Sequence, residues 1–336
     1  MKDIDKELEG MALEQDQEFD KKIQKMIDRR MRRNALKVIG IVVLIAVVIF
    51  LGLSPLINLF QTNPAKANKG TNSTLVKTLR AYYETTHPYM EVADIIVTKN
   101  GFGCYTLNID VIDHREYIAI KSGDPQNTIA KMKLGKLTIT SDPQGRSTPI
   151  LGAFGDNNEK YWTSKDKEEV LSEISKLPDS AHLYVSVQSK SLVDVSKLLA
   201  LRNNGFNIEW LQIYQKNSRW QPGVSANVVA NLEGKDATGR EGISAKYLRL
   251  IYIDNLQTMY DHQKLYAGFQ LYSGDQIYEQ GSGVLKEALD AARKNAKFQT
   301  SDYCISGTKA EVLKYLNEGD FSYINVDKVR YSMLGN

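Results

Sequence analysis

The sequence is poor in the residues from which metal centres and nucleophilic active sites are built. It has two cysteines and four histidines, and it contains no CxxC pair, no HExxH motif and no GxSxG nucleophile elbow. We therefore expect no metal, no cofactor and no catalytic residue. A binding or sensing protein is therefore favoured over an enzyme. A deep polar pocket with converging histidines or carboxylates would be the evidence for an enzyme. The scattered histidines are His87, His114, His182 and His262.

The chain also lacks a clear excess of charge of either sign. Its 43 Lys and Arg residues are nearly balanced by 40 Asp and Glu residues, which leaves a net charge of +3. Domains that bind nucleic acid normally carry a clustered basic excess, so no direct nucleic-acid partner is expected. The cysteines, Cys104 and Cys304, leave two alternatives open. We favour two separate buried thiols over a disulfide, which an oxidising compartment would permit.

One long apolar run stands out. Residues 38–53 are all Val, Ile, Leu, Phe, Ala or Gly, and residues 55–60 extend this run. More than about twenty apolar residues at about 1.5 Å each reach the thickness of a bilayer core, so we predict a transmembrane helix over 38–60. A cleaved signal peptide is the main alternative, because Ala65-Lys66-Ala67 resembles a cleavage site. The segment before the run is long for a signal peptide, and a buried soluble helix is rarely apolar on every face.

The charges before this run set its predicted orientation. Residues 1–20 are acidic, whereas 21–37 are strongly basic and lie directly before the apolar residues. The positive-inside rule then places 1–37 in the cytoplasm and 61–336 outside the cell membrane. We therefore predict a single-pass membrane protein with a small cytoplasmic segment. The basic residues are Lys21, Lys22, Lys25, Arg29, Arg30, Arg32, Arg33 and Lys37.

The predicted cytoplasmic segment carries an apolar stripe at helical spacing. An isolated segment of this size cannot bury such a stripe within itself. Two interpretations remain open from the spacing alone: the helix lies on anionic lipid at the inner membrane face, or it docks in a groove of a cytoplasmic protein. We call these candidate partner-binding residues the apolar stripe: Phe19, Ile23, Met26, Ile27 and Met31.

The outer region begins with a polar linker over 61–74, which contains Pro and Gly. Residues 75–163 then show strand-like runs between turn residues, and we predict a mostly β unit there. The expected strands are 95–97, 104–107, 117–120 and 137–139.

Residues 164–336 alternate between helical and strand periods and predict an α+β domain. Two units of strand, capped helix and strand stand out. In the first, Ser191 to Asp194 has the form of a capping box, and the helix is expected to end at 203–205. In the second, Thr308 to Glu311 has the same form. Further helices are predicted over 165–177 and 243–260, with strands over 182–187, 207–214, 298–305 and 321–326.

Three stretches of this domain resemble the sigma factor regulator family of Gram-positive bacteria, which are membrane-anchored anti-sigma factors. Residues 181–210 are similar to the opening strand, helix and Trp-bearing strand of that family. Residues 285–295 resemble its later helix, and 303–329 resemble its closing unit, with Gly307-Thr308 before a helix. Residues 19–51 resemble its charged helix leading directly into one membrane span, whereas 75–163 match only weakly.

This resemblance implies a transmembrane anti-sigma factor that holds an extracytoplasmic-function sigma factor through its cytoplasmic helix. The outer domain would then respond to a signal from the cell envelope, with a second membrane regulator or a protease as a further partner. The apolar stripe would contact the sigma factor. A zinc redox switch is not implied, because the Cys/His set of zinc-binding anti-sigma domains is missing. The alternative is an outer binding or assembly module that uses the span only as an anchor.

Overall fold

The structure is a computed structural model that describes residues 21–49, 64, 74–101, 103–116, 126–133, 136–141, 154–155, 166–202, 205–226, 243–263, 270–273, 276–279 and 283–331. The chain divides into two compact units, 1–61 and 62–336. In the first unit, residues 21–49 form one uninterrupted helix, α1. Among the described residues, no helix combines the length and the apolar character required of a membrane span. Of the predicted span, 38–49 belong to α1, and 50–60 lie outside the described residues.

The second unit is α+β, and its residues Thr74–Thr86 form helix α2. A four-stranded antiparallel sheet follows in the order β1-β2-β3-β4. Its strands are β1 (Met90–Gly101), β2 (Cys104–Asp113), β3 (Gln126–Lys133) and β4 (Lys136–Ser141). Along β2 every second side chain is buried, among them Leu107 and Ile109, so one face of this sheet belongs to the core. The predicted strands at 95–97, 104–107 and 137–139 are confirmed, whereas 117–120 lies outside the described residues.

Helix α2 corrects the prediction that the strand-like unit starts at residue 75. Its composition of Thr, Val and Tyr favours strands, but Leu75, Leu79 and Tyr82 recur at helical spacing and are buried. The threonines are accommodated because their hydroxyls donate to carbonyls one turn earlier, as Thr85 does to Ala81 over 2.7 Å. The buried face of α2 packs on β1 and on a later helix, and this tertiary contact outweighs local propensity.

A six-stranded antiparallel sheet forms the rest of the core, in the order β5-β12-β6-β11-β7-β8. Its long strands are β6 (Ala181–Asp194), β7 (Phe206–Gln212), β11 (Gln299–Thr308) and β12 (Phe321–Tyr331). Short strands β5 (Phe154–Gly155) and β8 (Gly223–Ser225) lie at its edges. Strands β9 (Gln270–Ser273) and β10 (Gln276–Glu279) form a separate two-stranded ribbon.

In the described part of 166–331, these strands are accompanied by the helices α3 (Lys167–Ser175), α4 (Val195–Leu199), α5 (Ala245–Asp261), α6 (Val284–Lys294) and α7 (Lys309–Glu318). The two predicted strand–helix–strand units are confirmed as β6-α4-β7 and β11-α7-β12. Because the four long strands lie in the order β12-β6-β11-β7, the two units interlock as a split βαβ arrangement. The helices predicted over 165–177 and 243–260 are confirmed as α3 and α5.

The two predicted capping boxes have different outcomes. Thr308 is the N-cap of α7, and its hydroxyl accepts the Glu311 N–H over 3.4 Å. The predicted cap at Ser191 is wrong, because β6 pairs with β11 as far as Asp194 and this residue caps α4. Helix α4 then ends at Leu199 instead of continuing to 203–205. The predicted domain boundary at residue 163 lies outside the described residues.

Candidate functional site

The apolar stripe lies on helix α1 and is largely exposed. Met26, Ile27 and Met31 expose 65%, 51% and 63% of their surface, and Ile23 is half-buried. At about 100° per residue these four side chains fall on one side of the helix, as the sequence predicts. Arg30 is exposed on the same side, so a partner would meet a cation as well as apolar groups. Phe19, the remaining predicted member, lies outside the described residues.

The apolar stripe and the apolar run at 38–49 lie on the same helix, α1. No break separates the basic segment from that run, so both follow one helix axis. At about 1.5 Å per residue, Ile27 lies roughly 16 Å along this axis from Val38. In the apolar run itself, residues on every side of the helix are exposed, such as Ile41, Val42, Val43 and Leu44.

A second arrangement, which sequence reasoning missed, is a polar sheet face on the six-stranded sheet. We use this name for Tyr184, Ser186, Cys304, Ser306, Asn325 and Asp327, whose side chains share one face of β6, β11 and β12. The opposite face carries apolar residues such as Val185, Ile305 and Ile324, which belong to the main core. Strand periodicity assigns the polar residues to solvent, yet all of them except Ser186 are buried.

Asp327 is the centre of this face. It accepts hydrogen bonds from the Tyr89 hydroxyl over 2.9 Å, the Ser186 hydroxyl over 2.6 Å and the Asn325 amide over 2.7 Å. Burial raises its pKa to about 6, although these hydrogen bonds and the charge of Arg115 oppose the shift. A buried carboxylate of this kind is costly unless donors surround it, and here they come from two strands, β6 and β12, and from the segment before β1.

Residues that follow α2 and β2 cover the polar sheet face. The Tyr89 ring packs edge-on against Tyr184, and the Arg115 guanidinium lies 5.1 Å from the centre of the Tyr89 ring. Arg115 is itself held by Asp113 through paired hydrogen bonds of 2.9 and 2.6 Å. The Trp210 indole donates to the Glu84 carbonyl over 2.9 Å and so ties α2 to β7. The face is therefore an internal packing layer of the second unit.

The chemistry available at this layer is limited. Cys304 lies 3.3 Å from the Ser186 hydroxyl, but burial raises the pKa of its thiol to about 12 and keeps it protonated. Two histidines lie beside this face. The His182 ring packs against the Tyr184 ring with centroids 5.4 Å apart, whereas His114 directs its ring nitrogen to Glu91 over 3.2 Å and accepts the Tyr184 hydroxyl with its carbonyl. The Ser186 hydroxyl donates its hydrogen to Asp327 and the Cys304 thiol stays protonated, so these contacts activate neither group as a nucleophile.

The two cysteines and two of the three tryptophans are packed within the second unit. Both cysteines are free thiols, as the favoured interpretation predicts, but only Cys304 is buried and Cys104 is half-buried. Trp210 and Trp220 are buried, and Trp220 belongs to the main core. Within the part of the chain that the structure describes, no group of three or more His, Cys, Asp or Glu side chains is arranged to hold a metal ion.

The three stretches that suggest sigma factor regulators from sequence alone coincide with strands and helices of the second unit. Residues 181–210 cover β6, α4 and most of β7, residues 285–295 cover most of α6, and 303–329 cover most of β11, α7 and β12. Comparison with protein-family models, curated proteins and solved structures gives no match.

Proposed function

We propose that the protein is a transmembrane anti-sigma factor, which sequesters an extracytoplasmic-function sigma factor through α1. The observation that carries this proposal is the exposed apolar stripe of Met26, Ile27 and Met31 on a helix that continues into the apolar run at 38–49. We further propose that 38–60 span the membrane, that 1–37 are cytoplasmic and that 61–336 lie outside.

The uninterrupted helix favours a protein partner over the lipid surface. A helix that lies flat on the inner membrane face must turn by about 90° before it enters the bilayer, and such a turn requires a break in the helix. Residues 21–49 have no break, so the helical segment that carries the stripe would extend away from the membrane into the cytoplasm. Ile27 would then lie roughly 16 Å beyond Val38, past a headgroup layer of about 5–8 Å.

The two methionines suit a groove formed by another protein. Met side chains are flexible and polarisable, and they adapt to irregular apolar surfaces. An amphipathic helix that presents apolar residues at positions i, i+3, i+4 and i+8 can lay them into such a groove. Arg30 would meet an acidic residue of the partner at the same side.

A paired substitution tests this mode of binding. In the full-length chain, Ile27→Gln with Met31→Gln removes two apolar anchors while keeping good helix formers. We expect co-purification of the sigma factor to fall by about tenfold or more, since buried interface anchors contribute roughly 1–2 kcal/mol each. Transcription from promoters of that sigma factor should rise to match.

Leu36→Gln is the matched control. Leu36 is as exposed as the stripe residues, at 69%, but lies about 180° around the helix from Ile27. This variant should retain the sigma factor. Equal loss in both variants, or no loss in either, contradicts the proposal.

The response to an envelope signal would reach the stripe through the predicted linker over 61–74, of which the structure describes only residues 64 and 74. We propose that an event at the outer unit releases the sigma factor by cleavage or rearrangement, with a protease or a second membrane regulator as partner. Replacing residues 1–37 by an unrelated basic leader separates this function from that of a simple anchored module. Sigma retention should be lost, whereas full function after the exchange would identify an outer binding module.

A further inference from the structure

A shallow groove of about 410 Å³ lies beside the six-stranded sheet, where β6 and β11 lose register. Gln188 pairs with Asp302, but the next pair is Val193 with Thr300, so residues 189–192 bulge outward opposite Ser301. Its volume is within the range of sites for small ligands. The lining residues are Gln188, Ser189, Lys190, Ser191, Leu192, Tyr214, Ser301 and Ser322.

One wall of the groove is a chain of hydrogen bonds that fixes the polar side chains. The Ser322 hydroxyl donates to Gln188 Oε1 over 3.0 Å, and Gln188 Nε2 donates to Asp302 Oδ1 over 2.9 Å. The Ser301 hydroxyl donates to Asp302 Oδ2 over 2.6 Å. Because each member holds the next, the wall is ordered before any ligand arrives, which lowers the entropy cost of binding.

The directions of these hydrogen bonds decide what the wall can offer a ligand. Ser301 and Ser322 have each used their single hydrogen, so their oxygens can only accept further bonds. Gln188 retains one amide hydrogen and can still donate. A ligand that fits this wall must therefore present several donors together with an acceptor, as neighbouring hydroxyl groups on a ring do.

The charges at the groove give no strong preference for a charged ligand. Lys190 is paired with Asp320 over 2.6 Å, and the other charge near the wall is the carboxylate of Asp302. Burial raises the pKa of Asp302 in spite of hydrogen bonds from Ser301 and Gln188. Asp302 does not itself line the groove, so its carboxylate does not favour a cation there.

Tyr214 supplies an apolar surface on the same groove. Its side chain is 40% exposed, and its backbone is fixed by a hydrogen bond of 2.9 Å to the Gln299 carbonyl. Leu192, also 40% exposed, lies along the same groove. The negative face of an aromatic ring attracts the C–H groups of a sugar ring, whose edge carries hydroxyls for the polar wall.

We propose that this groove binds a neutral saccharide chain, with Tyr214 as the stacking platform and Ser322, Gln188 and Ser301 as the hydrogen-bonding wall. The inference goes beyond the proposed function, because every residue in it belongs to the unit 62–336 and none belongs to α1. It gives the outer unit a ligand class of its own.

Calorimetry on the full-length chain, in a detergent without a sugar headgroup, tests the proposal with chitotetraose and cellotetraose. We expect at least one of them to bind with a dissociation constant at or below about 1 mM. Tyr214→Ala should weaken that binding by about tenfold, because an aromatic contact contributes up to roughly 1.5 kcal/mol. Amide hydrogen exchange should slow at 188–192 and 321–323 when the saccharide is added.

Tyr247→Ala is the matched control, because Tyr247 is also 40% exposed but lies on α5 and outside the groove lining. It should leave the affinity unchanged, and circular dichroism should show that both variants are folded. Absence of binding by both saccharides overturns the proposal, as does equal weakening by the two variants. Tighter binding of tetramethylammonium or of a sulfated tetrasaccharide overturns the neutral class.

Discussion

At the scale of single residues, Tyr89 shows how a distant contact stabilises an unfavourable backbone. Its φ of 66° lies in the left-handed region, which costs a non-glycine residue roughly 1 kcal/mol. The hydroxyl reaches Asp327 on the last strand, and the ring packs between Tyr184 and the Arg115 guanidinium. Nothing local in the sequence marks Tyr89, because its partners come from segments far along the chain.

Glu84 gives a prediction about pH at the same scale. Burial raises its pKa to about 7 from an ordinary value of 4.5, although Asn255 donates to it over 2.8 Å. The folded state thus binds a proton at Glu84 more tightly than the unfolded state does. This proton binding adds to the free energy of unfolding at low pH, and the contribution is lost as pH rises from about 5 to 8. In urea unfolding, Glu84→Gln should remove up to about 3 kcal/mol of this dependence and should stabilise the protein at pH 8.

Glu169→Gln is the control for this measurement, because Glu169 is exposed on α3. It should leave the pH dependence of the free energy of unfolding as it is in the parent protein. Asp327, whose pKa is also raised, will keep part of the slope in the Glu84 variant. A slope that does not change in Glu84→Gln would show that Glu84 is already charged and solvated at neutral pH.

At the scale of elements, hydrophobic periodicity predicts those helices and strands that bury one regular face and expose the other. The alternation in β2 and the spacing of Leu248, Tyr252 and Leu256 in α5 give both elements directly, because each buries one regular face. The cap of α4 shows the limit of local motifs. Ser191 and Asp194 both have capping side chains, and only the pairing of β6 with β11 as far as Asp194 decides between them.

The cap of α4 can be tested by comparing these two residues. Asp194 Oδ1 accepts the Ser196 N–H over 2.9 Å and the Ser196 hydroxyl over 2.6 Å. Asp194→Ala should therefore lower the free energy of unfolding by about 1 kcal/mol, whereas Ser191→Ala should change it by less than about 0.5 kcal/mol. Chemical denaturation of both variants measures this, and the reverse order would restore Ser191 as the cap.

At the scale of the whole molecule, the second unit is built around a sheet with two buried faces of different chemistry. One face is apolar and the other is the polar sheet face, which the segment from Glu84 to Arg115 covers. The α+β class and both split units follow from strand and helix periods in the sequence. The covering of Asn325 and Asp327 does not, because alternation places them towards solvent and only tertiary packing buries them.

The proposed location of the second unit outside the membrane can be tested with the two native thiols. Cys104 is half-buried on β2 and Cys304 is buried in the polar sheet face with a protonated thiol, so a maleimide should react with Cys104 far faster. If 61–336 lie outside the membrane, a membrane-impermeant maleimide should label Cys104 in intact cells. Cys104→Ser should abolish the label, Cys304→Ser should retain it, and denatured lysate should show both thiols. Labelling of Cys104 only after lysis would place the large unit inside the cell, and the apolar stripe and the outer unit could not then act on opposite sides of a membrane.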